Sequence, residues 1–306
     1  MKQYALIFSG QGSERVGMFH DIRKDPTALD LLLDTLAKEL DIDLRDAVVT
    51  KDAAVVAKNN QLLLSMYHHL VSTAVIENLG YRPALCMGHS FGQFSALTSA
   101  GAVDFIEMMK FIRKRTEIIN CDTVAVQATF KSIHGMTLEA VEQFIVEEGL
   151  LGEVELALHN QKEQVVCAAT SSGAEKLEAL AAKYSYMLKD VPVSRPYHTS
   201  FMEAYNQMLI PHIEHLVLST PKNPVLLNHS KKAATNSQLI REETLIQMVK
   251  PVLWYDCILE AAEQVDAFVI VDPSETQFKI LRRITNKKIH NLNNWGAVKM
   301  LEKRGV

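Results

Sequence analysis

Ala84-Leu85-Cys86-Met87-Gly88-His89-Ser90-Phe91-Gly92 decides the fold of this chain. An apolar run of strand character ends on Gly-x-Ser-x-Gly, and a helical pattern runs from Phe91 into Ala100. Glycines on either side of a serine permit a turn too tight for side chains. Such a turn lifts the hydroxyl above a helix N-terminus, where backbone N–H groups can hold an oxyanion. Ser90 is therefore the candidate nucleophile; the alternative is a serine that only caps a helix.

Strand-like and helical stretches alternate on the N-terminal side. Tyr4 to Phe8 reads as a strand, Pro26 to Glu39 and Gln61 to Asn78 as helices, and Ala84 to Met87 as a strand, which predicts a parallel sheet covered by helices. On the C-terminal side Asp104 reads as the N-cap of a helix to about Ile119. Its apolar stripe is Phe105, Met108, Met109, Ile112 and Ile119, with Arg115 on the stripe's edge. A cation so placed needs a partner.

The texture changes after Cys121. Strand Val124–Phe130, helix Leu138–Glu147, strands Val154–Leu158 and Gln164–Ala168, helix Ala174–Lys183 and strand Met187–Val193 give the order βαββαβ of a ferredoxin-like unit. The expected organisation is an α/β large domain, residues 1–122 and 194–306, with a small domain, 123–193, inserted in it. Helix Phe201–Leu218 and strands Pro224–Asn228 and Ala267–Val271 return to the first sheet.

The bulk properties narrow the function classes. With 306 residues, 48% hydrophobic and 22% charged, the composition is that of a globular protein. No stretch reaches the ~18 apolar residues of a membrane span, and the N-terminus lacks a signal-peptide pattern. A net charge of -4 disfavours nucleic acid as a partner. Cys86, Cys121, Cys167 and Cys257 lack CxxC or disulfide-like spacing, so a reducing cytoplasm is the expected compartment.

Serine needs a base, and His198 in Arg195-Pro196-Tyr197-His198 lies in a loop directly after a strand. Chain order also allows a Ser90–Asp190–His198 triad. The loop Ser9-Gly10-Gln11-Gly12-Ser13 could present backbone donors at the sheet edge. It fits neither a dinucleotide fingerprint nor a Walker loop. His212 and His215 lack metal-site spacing and read as a solvated helix face, so no metal is expected. Lys279, Arg282, Arg283, Lys287 and Lys288 read as an exposed basic helix face, open to an acidic partner.

Together these segments resemble the malonyl-CoA:acyl-carrier-protein transacylase family, including the free-standing acyltransferases that act in trans on polyketide synthases. Phe8-Ser9-Gly10-Gln11-Gly12-Ser13 with Gly17-Met18 resembles the family's FPGQGSQ…GM. Gly88-His89-Ser90-Phe91-Gly92 with Ser95-Ala96-Leu97 and Ala100-Gly101 resembles GHSLGEYSAL…AG. Arg115, 25 positions after the serine, falls where the family keeps its carboxylate-binding arginine. His198 has the PxH context of its base, and Gln247 before Pro251-Val252-x-Trp254 resembles its Q…PVxW segment.

The resemblance implies a hydrolase-like large domain with a ferredoxin-like insertion. It implies that Ser90 attacks an acyl-CoA thioester, His198 takes the proton, the Gln247 carbonyl orients His198, and the N–H groups of Gln11 and Phe91 form the oxyanion hole. Malonyl-CoA is then the donor, Arg115 binds the malonyl carboxylate, and a carrier protein's phosphopantetheine thiol accepts the group. No cofactor is consumed, and the protein is expected to be a cytoplasmic monomer serving fatty acid or polyketide synthesis. Tyr197 should crowd an α-methyl group. Ser9, Phe91, Gln93, Thr116, Thr123-Val124-Ala125-Val126 and Asp272-Pro273-Ser274 depart from the family pattern. These departures leave open an unusual acyl group or a carrier-bound donor. The alternative activity is a hydrolase that uses the same Ser90 and His198 but delivers water to strip stalled acyl groups from carriers.

Overall fold

The computed structural model describes residues 2–20, 22, 27–80, 82–121, 128–192 and 195–306. Strand β1 (Tyr4–Phe8) is the centre of the larger sheet. All five of its residues are buried, Tyr4, Leu6 and Phe8 in one core and Ala5 and Ile7 in another on the opposite face. Burial on both faces is why it reads as an unbroken apolar run.

The strand is flanked in parallel by β2 (Leu85–Gly88) and β9 (Ala267–Val271). Beyond these lie β10 (Lys288–Leu292) on one side and β7 (Val225–Leu226) with antiparallel β8 (Ala233–Ala234) on the other, giving the order β10-β9-β1-β2-β7-β8. Helices α1 (Thr27–Leu40), α2 (Arg45–Val49), α3 (Ala53–Lys58) and α4 (Asn60–Leu79) join β1 to β2. Then α5 (Gly92–Ser99) and α6 (Phe105–Ile119) lead out of the sheet. The expected Asp104 cap is present, its carboxylate accepting from the Ile106 and Glu107 N–H groups.

The smaller sheet is built from β3 (Ala128–His134), β4 (Val154–Gln161), β5 (Gln164–Thr170) and β6 (Met187–Val191), with α7 (Leu138–Glu147) and α8 (Ser171–Tyr184) between them. Its antiparallel order, β4-β5-β3-β6, is that of a ferredoxin-like unit, as expected. One face packs with α7 and α8 around Ile133, Phe144, Val165 and Leu177. The other contributes Phe130, Ala157, Val166 and Ala168 to the core of the large sheet. The expected strand residues 124–127 and 193, the Pro26 helix start and the domain boundaries at 122/123 and 193/194 lie outside the described residues.

The chain returns through a 3₁₀ turn (Ser200–Met202) and α9 (Glu203–His215). It continues through α10 (Ser237–Ile246), α11 (Trp254–Gln264), α12 (Thr276–Leu281) and α13 (Trp295–Arg304). Three expectations need correction, the first being the strand expected over Pro224–Asn228, which covers only Val225–Leu226. The helix expected over Phe201–Leu218 divides at Met202 and stops at His215. The basic stretch is not one helix face, because Lys279 sits on α12, Arg282 and Arg283 in the turn after it, and Lys288 opens β10. Among the described residues no helix is long and apolar enough to cross a membrane.

Candidate active site

Strands β1 and β2 end level, Phe8 beside Gly88, so the loops that follow them meet at the sheet's carboxyl edge. A Cβ on Gly88 would stand 2.0 Å from the Gly92 carbonyl carbon, and one on Gly92 2.4 Å from the Phe8 oxygen. Both positions therefore demand glycine through close backbone approach, although neither has a positive φ. Between them Ser90 takes φ 52°, a left-handed conformation that costs a residue with a Cβ about 1–2 kcal/mol. The strained turn aims the serine hydroxyl outward.

Ser90 Oγ lies 2.6 Å from Nε2 of His198, itself at φ 67°. Helix α10 holds His198. The two residues that follow its last turn carry carbonyls without helical partners; the Gln247 carbonyl accepts from His198 Nδ1 at 2.8 Å and the Met248 carbonyl from the His198 N–H at 2.7 Å. This fixes the tautomer, with Nδ1 protonated and Nε2 free to accept from Ser90. The alternative triad acid is excluded by position: Asp190 lies on β6, exposed, and pairs with Lys131 Nζ at 2.7 Å. Chain order permitted it, but the small sheet's topology carries it to an outer edge strand.

Gln11, Ser90, Phe91, Arg115, Tyr197 and His198 all line one cavity of about 360 Å³. Phe91 stands immediately before α5 and Gln11 in the loop after β1, so both expected donors border the cavity. Gln247 contributes from behind, and its side-chain Nε2 donates to the Ser90 carbonyl at 3.1 Å. A larger cavity of about 820 Å³ between α1, α4 and α13 contains none of these residues.

Arg115 is 3% exposed, deeper than a place on the stripe's edge suggested. Its guanidinium lies 5.3, 5.7 and 5.9 Å from the ring centres of Tyr197, Phe94 and Phe91. It donates to Gln61 Oε1 at 2.9 Å, while its Nε has no acceptor among the described residues. Burial lowers its pKa. Three π faces and one amide oxygen partly replace its hydration, and no carboxylate among the described residues pairs with it. The arrangement can receive an anion.

Burial pushes His198 down to about 3, against the opposing pull of the Gln247 carbonyl, so the resting imidazole is neutral and able to accept a proton. Burial likewise takes His68 to about 3 and His69 and His89 to about 4. Folded-state values below the unfolded 6.5 mean that the unfolded chain binds more protons as pH falls. The stabilisation is therefore complete above pH 6.5 and declines toward pH 4 and below. Each histidine contributes a slope of about 1.4 kcal/mol per pH unit in that window. The urea midpoint should drop steeply between pH 6.5 and 4.5, and a flat profile would contradict these burials.

The chain matches the acyl transferase domain family over residues 5–291. It belongs to that family. Among curated relatives it is 29% identical over 298 residues to the malonyl CoA-acyl carrier protein transacylase of Bacillus subtilis, covering 94% of this chain and 92% of that protein. It is 26% identical to the protein of that name from Staphylococcus aureus, with 93% of each covered. The resemblance read from the sequence is thus borne out, and the chain is an acyltransferase by family.

Solved structures agree in fold. The transacylase of Coxiella burnetii superposes with a TM-score of 0.91 at 24% identity, covering 99% of this chain and 98% of that one. A malonyl-transacylase in complex with a type II polyketide synthase acyl-carrier protein does so at 0.91 and 22%, covering 99% and 100%.

Gln61, Asn160 and His68 carried no sequence signal. Gln61 on α4 holds Arg115, lies 3.2 Å from the hydroxyl of the unusual Thr116, and reaches the Gln11 side-chain oxygen at 3.4 Å. Asn160 lies 2.9 Å from His89 Nε2. Ser9, in place of the family's proline, lies 3.1 Å from His68 Nε2, and His68 Nδ1 lies 2.9 Å from Ser95 Oγ. A proline could not make that contact.

Proposed function

We propose that this acyltransferase moves a malonyl group from malonyl-CoA, through an ester on Ser90, to the phosphopantetheine thiol of an acyl carrier protein in fatty acid or polyketide assembly. The observation that carries the reading is the chain Ser90–His198–Gln247, at 2.6 and 2.8 Å, facing the same cavity as buried Arg115. The names borne by the relatives point to the same donor and acceptor. A large unit of residues 1–122 and 194–306 and a small one of 123–193 are part of this reading, with the cavity lined from both.

In this mechanism Ser90 Oγ attacks the thioester carbonyl as His198 Nε2 takes its proton, and the Gln11 and Phe91 N–H groups receive the oxyanion. Collapse expels the CoA thiolate, which recovers the proton from His198. The carrier thiol then attacks the Ser90 ester while His198 accepts its proton, and Ser90 leaves as the hydroxyl once His198 returns that proton. The imidazolium formed in each half-reaction is supported by the Gln247 carbonyl and by the nearby oxyanion. Burial keeps the base unprotonated at rest.

Arg115 selects the acyl group: its guanidinium pairs with the malonyl carboxylate, and Tyr197, packed over that guanidinium, leaves little room for an α-methyl branch. Arg115→Ala should lower kcat/KM for malonyl-CoA by on the order of 10²–10³, the cost of truncating one partner of a buried charge pair. Acetyl transfer should stay near its wild-type level. The test is to follow malonyl, methylmalonyl and acetyl thioesters with wild type and this variant, with carrier thiol or water as acceptor. Malonyl transfer to the thiol that depends on Arg115 is the expected result. Rapid release of acetate without malonyl preference would establish the hydrolase instead.

A further inference from the structure

We infer that Asn228 is a positioning residue whose side-chain amide clamps the Ser90 turn and sets where Oγ stands relative to His198 Nε2. The inference rests on Ser90 being the nucleophile.

Strand β7 pairs with β2 over only two residues, Val225 with Cys86 and Leu226 with Met87. Beyond that point β1 follows β2 for one more residue, to Gly88, but β7 does not. Asn228, 2% exposed, continues the pairing with its side chain. Its Oδ1 accepts from the Ser90 N–H and its Nδ2 donates to the Gly88 carbonyl, each at 2.7 Å. A primary amide offers an acceptor and a donor in one plane, which suits it to bridge a carbonyl and an N–H two residues apart.

Asn228 is itself anchored. Its N–H donates to Gln93 Oε1 and its carbonyl accepts from the Leu253 N–H, both at 2.9 Å. Gln93 thus has a task although it replaces the family's usual glutamate. With Gln247 Nε2 on the Ser90 carbonyl, side-chain amides hold Gly88 O, Ser90 N and Ser90 O of the strained turn.

Asn228 is not among the residues lining the cavity and makes no hydrogen bond to Arg115 or Gln11, so its loss should displace the reacting hydroxyl, and with it the adjoining Phe91 N–H, while leaving the Arg115 contact to the acyl group in place. Misplacing a reacting group by about 1 Å costs about 10²-fold in rate.

The test is rapid-quench intact-mass measurement of Ser90 acylation by malonyl-CoA, with steady-state KM and circular dichroism at the assay temperature. Asn228→Ala should acylate about 10²-fold more slowly, with KM within about threefold of wild type. Asn228→Asp keeps the acceptor for the Ser90 N–H but not the donor to Gly88, and should lose about tenfold.

A folded Asn228→Ala that acylates within about threefold of wild type, or that raises KM alone, overturns the inference. If Asn228→Ala does not fold, Asn228→Asp decides by the same criterion. Absence of an adduct in the wild type overturns the reading of Ser90, and this inference with it; a wild-type adduct with unaffected variants overturns only the clamp.

Discussion

Ser90→Ala loses acyl transfer by about 10⁴-fold or more in kcat, leaving only what binding and oxyanion donors can supply to a water or thiol attack. The expectation follows from the geometry of the turn. Gly88 and Gly92 admit no Cβ, and among the described residues Ser90 alone carries a hydroxyl within 2.6 Å of an oriented imidazole. The substitution removes that hydroxyl and leaves Arg115 and the cavity wall intact, so malonyl-CoA should still bind near its wild-type affinity. Alanine tolerates the left-handed backbone no better than serine, so the thermal midpoint should change little. A variant that retained a tenth of the activity would make Ser90 a capping serine and place the chemistry elsewhere.

His198→Ala should cost about 10³–10⁴-fold, and in both half-reactions, because one imidazole takes the proton from Ser90 and later from the incoming thiol. Single-turnover acylation by malonyl-CoA and the subsequent chase with carrier thiol should slow together. Loss of only one step would assign the other proton to a different group, of which His89 is the nearest candidate in sequence. Its Nε2 is already engaged with Asn160, and its ring packs against Trp254. Asp190→Asn, in contrast, should leave kcat unchanged, since Asp190 is exposed and pairs with Lys131, while the two ring nitrogens of His198 meet Ser90 and the Gln247 carbonyl.

Much of this was legible in the sequence where the signal is local. Helix Leu138–Glu147 and strand Ala267–Val271 have the expected bounds because cap and periodicity are written into a few adjacent residues. The glycines around Ser90 announce the turn in the same way, and βαββαβ emerges from simple alternation.

What failed depends on contacts across the chain. Helices α10 and α11 went unread, and strand Pro224–Asn228 shrank to two residues because the Leu227 N–H turns to the Lys232 carbonyl. The contribution of Gln247 came only through resemblance, since a backbone carbonyl has no side-chain signature. Asn228 meets Ser90 across 138 residues and had no signal at all. Asp190 shows the converse, a correct order of residue types that the topology keeps apart.

The most direct measurement is the intact mass of the protein after brief exposure to malonyl-CoA, with the adduct located by peptide mapping and then chased with a holo carrier protein. A single malonyl ester on Ser90 should form within the turnover time and pass to the carrier thiol faster than to water. No adduct, an adduct on another residue, or one that water removes as fast as the carrier does would contradict transfer through Ser90.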